Sequence, residues 1–207
     1  MQKPDNDRHT AILDAAQKRF ARFGPGKVTM DEIAADLGCS KAALYYYFRT
    51  KEEIFRQVIL RQQQEFLDQL TGITRQEYSS SEKLRQYFHH HLLLLDELLD
   101  LKILSIVPAE DKEFSLVQDL FRRFAAKEVA LLQDILAEGQ SRGEFSISTP
   151  ETTAMMLQHA LQGLRMRFVK SYRRGEINDS QINLAADEIG MLGEIIVRGI
   201  SLQINPV

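Results

Sequence analysis

Apolar residues recur every three or four positions along most of the chain, which is the period of an amphipathic helix. Between Thr29 and Glu53, Gly38 separates two short apolar stripes, and glycine ends a helix without steric cost. Thr29 and Glu32 have the spacing of a capping box, and Ser40 precedes the second stripe. The segment therefore predicts a helix-turn-helix, a motif whose second helix lies in the major groove of DNA.

The outward face of the second short helix carries aromatic side chains where a soluble helix normally carries charges. At about 100° per residue, Leu44 and Phe48 point to one side. Ala42, Tyr45 and Tyr46 point to the other. A ring with a hydroxyl tip suits a polar groove, where it meets the sugar-phosphate wall or a thymine methyl group. The alternative is that the tyrosines pack on a neighbouring helix, but the combined pattern favours DNA.

Similar stripes predict helices elsewhere, the first from about Arg8 to Phe23 after a loose tail and the fourth from Lys51 to about Leu70. The segment Thr71–Ser81, which contains glycine and a serine run, is the expected hinge. Further helices are expected at about Ser81–Leu99, Leu101–Ile106, Lys112–Gln140, Pro150–Tyr172 and Asp179–Leu202. No alternation typical of strands appears, so the predicted fold is all-α with about nine helices.

Composition and charge narrow the class of protein. Apolar residues make up 44% and charged residues 27% of 207 residues, which is typical of a globular protein. Residues 1–60 contain ten Lys or Arg and eight Asp or Glu, whereas the remainder contains sixteen and twenty-one. A weakly basic head on an acidic body suits a protein that touches phosphate with one small surface. It excludes a histone-like coating protein, which needs positive charge throughout.

The single cysteine and the short apolar runs favour a cytoplasmic protein. Cys39 has no intramolecular partner for a disulfide, and we interpret it as a small buried hydrophobe, with a redox switch as the alternative. The polar N-terminus predicts no signal peptide. The longest strongly apolar run, residues 92–95, is too short to span a membrane.

The sequence predicts neither an enzyme nor a metal or cofactor site. No glycine-rich phosphate loop, nucleophile elbow or paired-cysteine zinc motif is present. The run His89–His91 consists of successive helical residues, which point about 100° apart and cannot converge on one ion.

The segment GCSKAALYYYFRTKEEIF resembles the signature of the tetracycline-repressor (TetR) family of bacterial regulators. That signature has an apolar turn residue, Ser, a short variable stretch, Leu-Tyr-x-(His or Tyr)-Phe, and Lys-Glu opening the fourth helix. Cys39 stands where an aliphatic residue is usual, and Tyr47 stands where histidine is common. The resemblance covers about residues 8–60, and beyond them it rests on length and helical layout.

The resemblance implies a DNA-binding domain at residues 1–50 and an effector-binding and dimerisation domain at residues 51–207. Lys51 matches a family position that contacts phosphate, and Tyr47, at the histidine position, would reach the DNA backbone. Thr29 opens a helix, and helix N-termini attract anions. The predicted DNA-binding residues are Thr29, Ser40, Lys41, Ala42, Tyr45, Tyr46, Tyr47 and Lys51.

The resemblance also implies a small, apolar effector molecule held between the fifth and eighth helices. Methionine and aromatic side chains suit an adaptable cavity, and histidines can orient a polar end of the ligand. The alternative is that these residues are ordinary core. The predicted lining residues are Phe88, His91, Phe121, Met155 and His159.

The last two helices are predicted to form a homodimer interface, which in the family is a four-helix bundle. Gly190, Gly193 and Gly199 each cost about 1 kcal/mol inside a helix relative to alanine, which suggests that another helix approaches closely. The alternative is that they face the chain's own core. The predicted interface residues are Leu157, Leu161, Leu164, Phe168, Ile189, Leu192, Ile196 and Ile200.

The favoured hypothesis is a dimeric, ligand-responsive repressor that binds a palindromic operator in double-stranded DNA and has no contact with a membrane. One alternative is a ligand-independent DNA-binding protein whose body recruits a protein partner. Another is a small helical enzyme or carrier that shares only the fold. The outward tyrosines and the lack of a catalytic constellation argue against the enzyme.

Overall fold

The computed structural model describes residues 3–100, 112–173 and 179–202, with side chains described over residues 7–91, 119–167 and 187–202. The described residues form eight helices: α1 (Lys3–Phe23), α2 (Met30–Asp36), α3 (Lys41–Tyr47), α4 (Lys51–Thr74), α5 (Ser80–Asp100), α6 (Lys112–Ser141), α7 (Pro150–Arg173) and α8 (Asp179–Ile200). Their only β-structure is one isolated bridge between Phe145 and Ser201. The all-α prediction is confirmed, and the helix predicted near Leu101–Ile106 lies outside the described residues.

The chain divides into two compact units. The head unit comprises residues 1–64 with 99–121, and the body unit comprises residues 65–98 with 122–207. The domain boundary at residues 50 and 51 stays a prediction, while the division between the compact units falls inside α4. Among the described helices, none is both long and apolar enough to cross a membrane.

Helix α1 begins at Lys3, so the loose tail predicted over residues 1–7 is wrong from Lys3 onward. Pro4 in the first turn has a backbone angle already suited to a helix and needs no amide partner there. The helix ends at Phe23 as predicted, and Gly24 follows with a φ of 80°.

The core of the head unit joins α1 to the helix-turn-helix and to the start of α4. Phe20 of α1 is fully buried and meets the edge of Phe55 of α4, with ring centroids 5.3 Å apart. Arg61 of α4 donates to Asp14 at 2.7 Å and to Gln17 at 2.5 Å, both on α1. This support is needed because two helices of seven residues cannot bury a core alone.

The core of the body unit is formed by the C-terminal part of α4 together with α5, α6, α7 and α8. Gly193 of α8 packs directly against Phe88 of α5, since a Cβ added at Gly193 would lie 2.8 Å from the Phe88 ring. For Gly193 the alternative interpretation is therefore correct, because this glycine faces the chain's own core. The buried side chains of this unit include Leu84, Tyr87, Phe88, Leu132, Leu136, Ala154, Leu157, Leu161, Ile189 and Val197.

Two backbone hydrogen bonds close the body unit. Ser146 donates to the carbonyl of Ile200 at 2.7 Å, and Leu202 donates to the carbonyl of Glu144 at 2.9 Å. They tie the loop after α6 to the end of α8. The nearby ammonium of Lys83 is buried and paired with Glu138 at 2.8 Å.

Candidate nucleic-acid interface

The start of α2 is fixed by the predicted capping box between Thr29 and Glu32. The amide of Glu32 donates to Thr29 Oγ1 at 3.3 Å, and Glu32 Oε2 accepts from the amide of Thr29 at 2.8 Å. The Thr29 hydroxyl also donates to this carboxylate, at 2.9 Å. The two hydrogen bonds that Thr29 donates to this carboxylate lower the pKa of Glu32, and the bond from the amide has the larger effect. Both hydrogen-bond donors of Thr29 are therefore engaged within the protein.

The turn between α2 and α3 depends on Gly38. Its φ of 59° lies in the left-handed region, which side chains disfavour. The amide of Gly38 donates to Ala35 at 3.1 Å, and the amide of Cys39 donates to Ala34 at 3.0 Å. Ser40 then caps α3, since its hydroxyl oxygen accepts from the amide of Ala43 at 3.2 Å. The predicted stop and cap are confirmed.

Arg19 of α1 holds the end of α2 in place. Its guanidinium makes a bidentate contact with Asp36, with Nη2 2.8 Å from Oδ1, and lies 3.4 Å from Glu32. The hydrogen bonds from Arg19 lower the pKa of the Asp36 carboxyl. The orientation of α2, and with it that of α3, is thus tied to α1.

Helix α3 separates an apolar inner face from an exposed tyrosine face, as predicted. Leu44 is fully buried and Phe48 is 2% exposed, with the ring of His9 4.7 Å from that of Phe48. Tyr46, in contrast, is 79% exposed. Tyr45 is 44% exposed, which is still high for an aromatic side chain. The tyrosines do not fill the head core, so their rings are available to an external surface.

Lys41, in the first turn of α3, is paired with Asp31 of α2. Its Nζ lies 2.8 Å from Asp31 Oδ2 and 6.0 Å from the centroid of the Tyr45 ring. The hydrogen bond that Lys41 donates to Asp31 raises the pKa of the Lys41 ammonium. Periodicity does not reveal such a pair, because the two residues belong to different helices and lie ten positions apart.

A second cap orients the start of α4. The amide of Glu53 donates to Thr50 Oγ1 at 3.1 Å, which is half of a capping box. The Glu53 carboxylate accepts from the amide of Arg49 at 2.9 Å, whereas a full capping box would use the amide of Thr50. Lys51, partly buried, is the first residue of α4.

The predicted DNA-binding residues all belong to the head unit. Their contacts with DNA remain predictions, but most of them are open to an external partner. Tyr47 and Lys51 are partly buried, and the ring of Tyr47 meets that of Tyr46 edge-on at 5.1 Å. The exposed members are Thr29, Ser40, Lys41, Ala42, Tyr45 and Tyr46.

The predicted effector lining is not formed as a set. Phe88 and His91 lie in the interior of the body unit, whereas Met155 and His159 are exposed on α7. Met155 and His159 occupy the opposite face of α7 from the buried Leu157 and Leu161, and their contact with an effector stays a prediction. Phe121 is partly buried and belongs to the head unit.

The predicted dimer interface needs a similar correction. Leu157, Leu161 and Ile189 are at most 7% exposed, so the chain's own core covers them and they offer no surface to a second copy. Leu164, Leu192, Ile196 and Ile200 are partly buried, and the side chain of Phe168 lies outside the described residues. The strongly exposed apolar side chains of these helices are Met155, Met156, Met166, Met191 and Ile195. An apolar stripe shows that one face of a helix is buried, but it does not show whether the same chain or a second copy covers that face.

Comparison with known proteins agrees with this local geometry. Residues 12–58, which contain the whole helix-turn-helix and its supporting positions on α1 and α4, match the family described as "Bacterial regulatory proteins, tetR family". The chain belongs to the tetR family. Its helix-turn-helix is therefore that of a family of bacterial regulatory proteins, and the motif resemblance over the head is confirmed.

The likeness to single tetR-family relatives differs between the head and the full length. An HTH-type transcriptional regulator of Mycobacterium tuberculosis is 46% identical over 43 residues, 21% of this chain and 21% of its own length. The chain thus spans about a fifth of that relative's length. The fatty acid metabolism regulator protein of Bacillus subtilis is 23% identical over 96% of this chain and 98% of its own.

A solved structure extends the likeness over both units of the tetR-family chain. The transcriptional regulator from Cytophaga hutchinsonii is 31% identical, with a TM-score of 0.82 over 94% of this chain and 99% of that one. The helical body is thus shared as well as the helix-turn-helix.

Proposed function

We propose that this tetR-family chain is a homodimeric repressor that binds a palindromic operator and responds to a small, mainly apolar effector. The exposed tyrosine face of α3 is the observation that carries the proposal. Tyr46 is 79% exposed although large aromatic side chains are normally buried, and it stands on a helix whose opposite face is anchored by Leu44. An exposed aromatic face on a rigid support suits a partner surface that is both polar and flat-walled, as a DNA groove is.

In this proposal α3 enters the major groove. Ala42 allows close approach, while Tyr45 and Tyr46 meet base edges and backbone. Ser40 and Lys41 serve base edges or phosphate. Contacts from Tyr47 and Lys51 to the DNA backbone set the register of the helix without reading sequence. Thr29 supports them by fixing the start of α2 through its hydrogen bonds to Glu32.

A dimer supplies the second recognition helix that specific binding to a palindrome requires. Met156 and Met191 are about two-thirds exposed, at 66% and 65%, on α7 and α8, which pack on each other. Gly163 and Gly199 on the same two helices have open space where a side chain would be. An exposed apolar patch beside positions that permit close helix approach supports a second copy as the partner.

A Met191→Glu variant is expected to sediment as a folded monomer.

The interior of the body unit supports an effector with a neutral hydrogen-bonding group. Tyr87 and His91 are buried, with ring centroids 4.6 Å apart, and Phe66 packs against His91. Among the described residues, no group hydrogen-bonds to the Tyr87 hydroxyl or to Nδ1 of His91. A buried polar atom without a partner is costly, so these atoms favour a ligand group that pairs with them.

Charge in this interior is already balanced. Glu128 is fully buried and accepts from Arg165 at 3.1 and 3.3 Å, and it lies 3.3 Å from His91 Nε2. Burial lowers the pKa of His91 well below its ordinary value, so the imidazole is neutral. A charged effector group would upset this balance, whereas a hydroxyl or carbonyl would not. The likeness to a fatty acid metabolism regulator makes acyl compounds the first candidates to test.

The direct test of DNA binding uses the DNA upstream of the chain's own gene at about 50 and 200 mM salt. Tight, salt-sensitive binding is expected, and Tyr46→Ala should weaken it about tenfold or more. Tyr78→Ala is the matched control, because Tyr78 is 45% exposed in the body unit. Equal binding by the wild type and Tyr46→Ala would show that α3 does not read DNA.

A second candidate is a ligand-independent DNA-binding protein whose body recruits another protein. The exposure of Met155 and His159 favours it, since neither joins the interior that would hold an effector. The two candidates differ in one measurable property. A screened acyl compound that raises the unfolding temperature and also lowers DNA affinity supports the repressor, and the repressor predicts that Tyr87→Phe reduces both effects.

A further inference from the structure

Two neighbouring carboxylates of α2 engage groups of the kind that bind DNA. Glu32 holds the amide and hydroxyl of Thr29, and Asp31 holds the ammonium of Lys41. Amides at a helix start and lysine ammonium groups are the groups that bind phosphate oxygens in protein-DNA complexes. In the free protein, these groups are therefore paired with carboxylate oxygens.

We propose that Asp31 competes with DNA phosphate for Lys41 and so limits the affinity of the helix-turn-helix for DNA of any sequence. The inference rests on the proposed DNA-binding role of α3. It adds to the residues proposed to strengthen DNA binding one residue, Asp31, that weakens it. Asp31 is a specificity-determining residue in this sense, because a lower affinity for random DNA leaves more protein free to find its operator.

The surroundings of the two carboxylates show why Asp31 is the exchangeable one. The side chains of Asp31 and Lys41 are 64% and 51% exposed, so water can replace either partner and the pair separates without burying a charge. Glu32 is bound by three hydrogen bonds in its capping box and also faces Arg19. Glu32 is therefore a fixed part of the fold, whereas Asp31 can release its partner.

Release of Lys41 leaves Asp31 in the first turn of α2. There the carboxylate remains stable, because it lies at the positive end of the helix dipole. Its negative charge stays close to the phosphate that Lys41 has taken, and like charges repel. Both the lost ion pair and this repulsion reduce DNA affinity, and both disappear in Asp31→Asn, which keeps the size of the side chain.

The test is a double-mutant cycle on a random-sequence duplex of roughly 30 base pairs at about 50 mM salt, read by fluorescence anisotropy. The variants are Asp31→Asn, Lys41→Gln and the double variant, each checked for an unchanged unfolding temperature. Glu52→Gln is the matched control for net charge. Glu52 is the exposed second residue of α4, as Asp31 is the second residue of α2.

Asp31→Asn is expected to raise the affinity about two- to fivefold, in keeping with the strength of an exposed ion pair. In the Lys41→Gln background, the gain should fall to that of Glu52→Gln. An Asp31→Asn gain that is equal in both backgrounds, or no larger than that of Glu52→Gln, overturns the inference and leaves the proposed function intact. Absence of wild-type binding to both this duplex and the upstream DNA would contradict the proposed function as well.

Discussion

Lys41 and Asp31 meet at the surface of the head unit, with side chains half or more exposed, whereas Glu128 and Arg165 meet inside the body unit, where Glu128 is fully buried. The surface pair is in contact with water and can exchange partners at little cost. The buried pair cannot, because a charge left alone there has no replacement solvent. The surface pair is thus suited to exchanging its polar contacts, and the buried pair to keeping them.

The largest expected effect comes from breaking the buried pair. Glu128→Ala leaves the guanidinium of Arg165, 13% exposed, without its carboxylate, and should lower the free energy of unfolding by about 3–5 kcal/mol. Urea denaturation measures this change. Glu77→Ala, at an exposed residue of the loop before α5, should leave the stability within about 0.5 kcal/mol of wild type. A loss below about 1 kcal/mol for Glu128→Ala would show that the body unit tolerates exchange after all.

Within α3, the residue that stabilises the fold can be distinguished from the residue proposed to contact DNA. Leu44→Ala should lower the free energy of unfolding by about 2–4 kcal/mol, because Leu44 is fully buried in the head core. Tyr46→Ala should change it by less than about 0.5 kcal/mol, because the ring is exposed. Thermal unfolding followed by circular dichroism provides the comparison. If Tyr46→Ala were the more destabilising variant, its ring would belong to the fold and not to a binding surface.

The body interior should also respond to pH. The pKa of His91 is well below its ordinary value, mainly because the ring is buried and secondarily because Arg165 is near. At low pH the unfolded chain therefore binds a proton at this histidine that the folded chain excludes. The free energy of unfolding consequently falls as the pH drops below about 6.5, by up to about 1.4 kcal/mol per pH unit.

The measurement is urea unfolding between pH 7 and pH 5 for the wild type and His91→Gln. The pH dependence should be weaker in His91→Gln, and part of it should remain because burial also lowers the pKa of His90. An identical slope in both proteins would mean that His91 accepts a proton in the fold, as an exchangeable surface group does.

The smallest effect concerns the turn of the helix-turn-helix. Gly38→Ala should cost about 1–2 kcal/mol, because φ at this position is 59° and the strain arises although space for a methyl group is available. Gly26→Ala is the control, since this glycine also has open space but no positive φ. Differential scanning calorimetry of the two variants compares them. Equal unfolding temperatures would show that the turn relaxes to accept a side chain.

The sequence predicted best those features that are decided by neighbouring residues. The capping box of Thr29 and Glu32, the stop at Gly38 and the two faces of α3 each depend on a few adjacent positions, and the structure confirms them. The start of α1 was predicted too late, because the apolar stripe begins only at Ile12 and the signals that extend the helix to Lys3 are polar.

Features that depend on distant parts of the chain were less predictable. The Lys41–Asp31 pair depends on how α2 and α3 pack, and the burial of Leu161 depends on which helices cover α7. Periodicity shows that a face is apolar but does not show whether the same chain or a second copy fills it. For this reason periodicity does not show that Leu161 is buried by its own chain or that Met155 is exposed, and the interface and effector residues stay predictions.

The hydrogen bonds that join Ser146 to Ile200 and Leu202 to Glu144 also set an order of events during protein synthesis. Helices α1–α3 are complete once residue 47 has been made, whereas this closure of the body requires Leu202. At a translation rate of about 5–20 residues per second, the delay is on the order of ten seconds. A newly made chain therefore has all the residues of its DNA-reading helices well before it can close the body that we propose pairs it with a second copy.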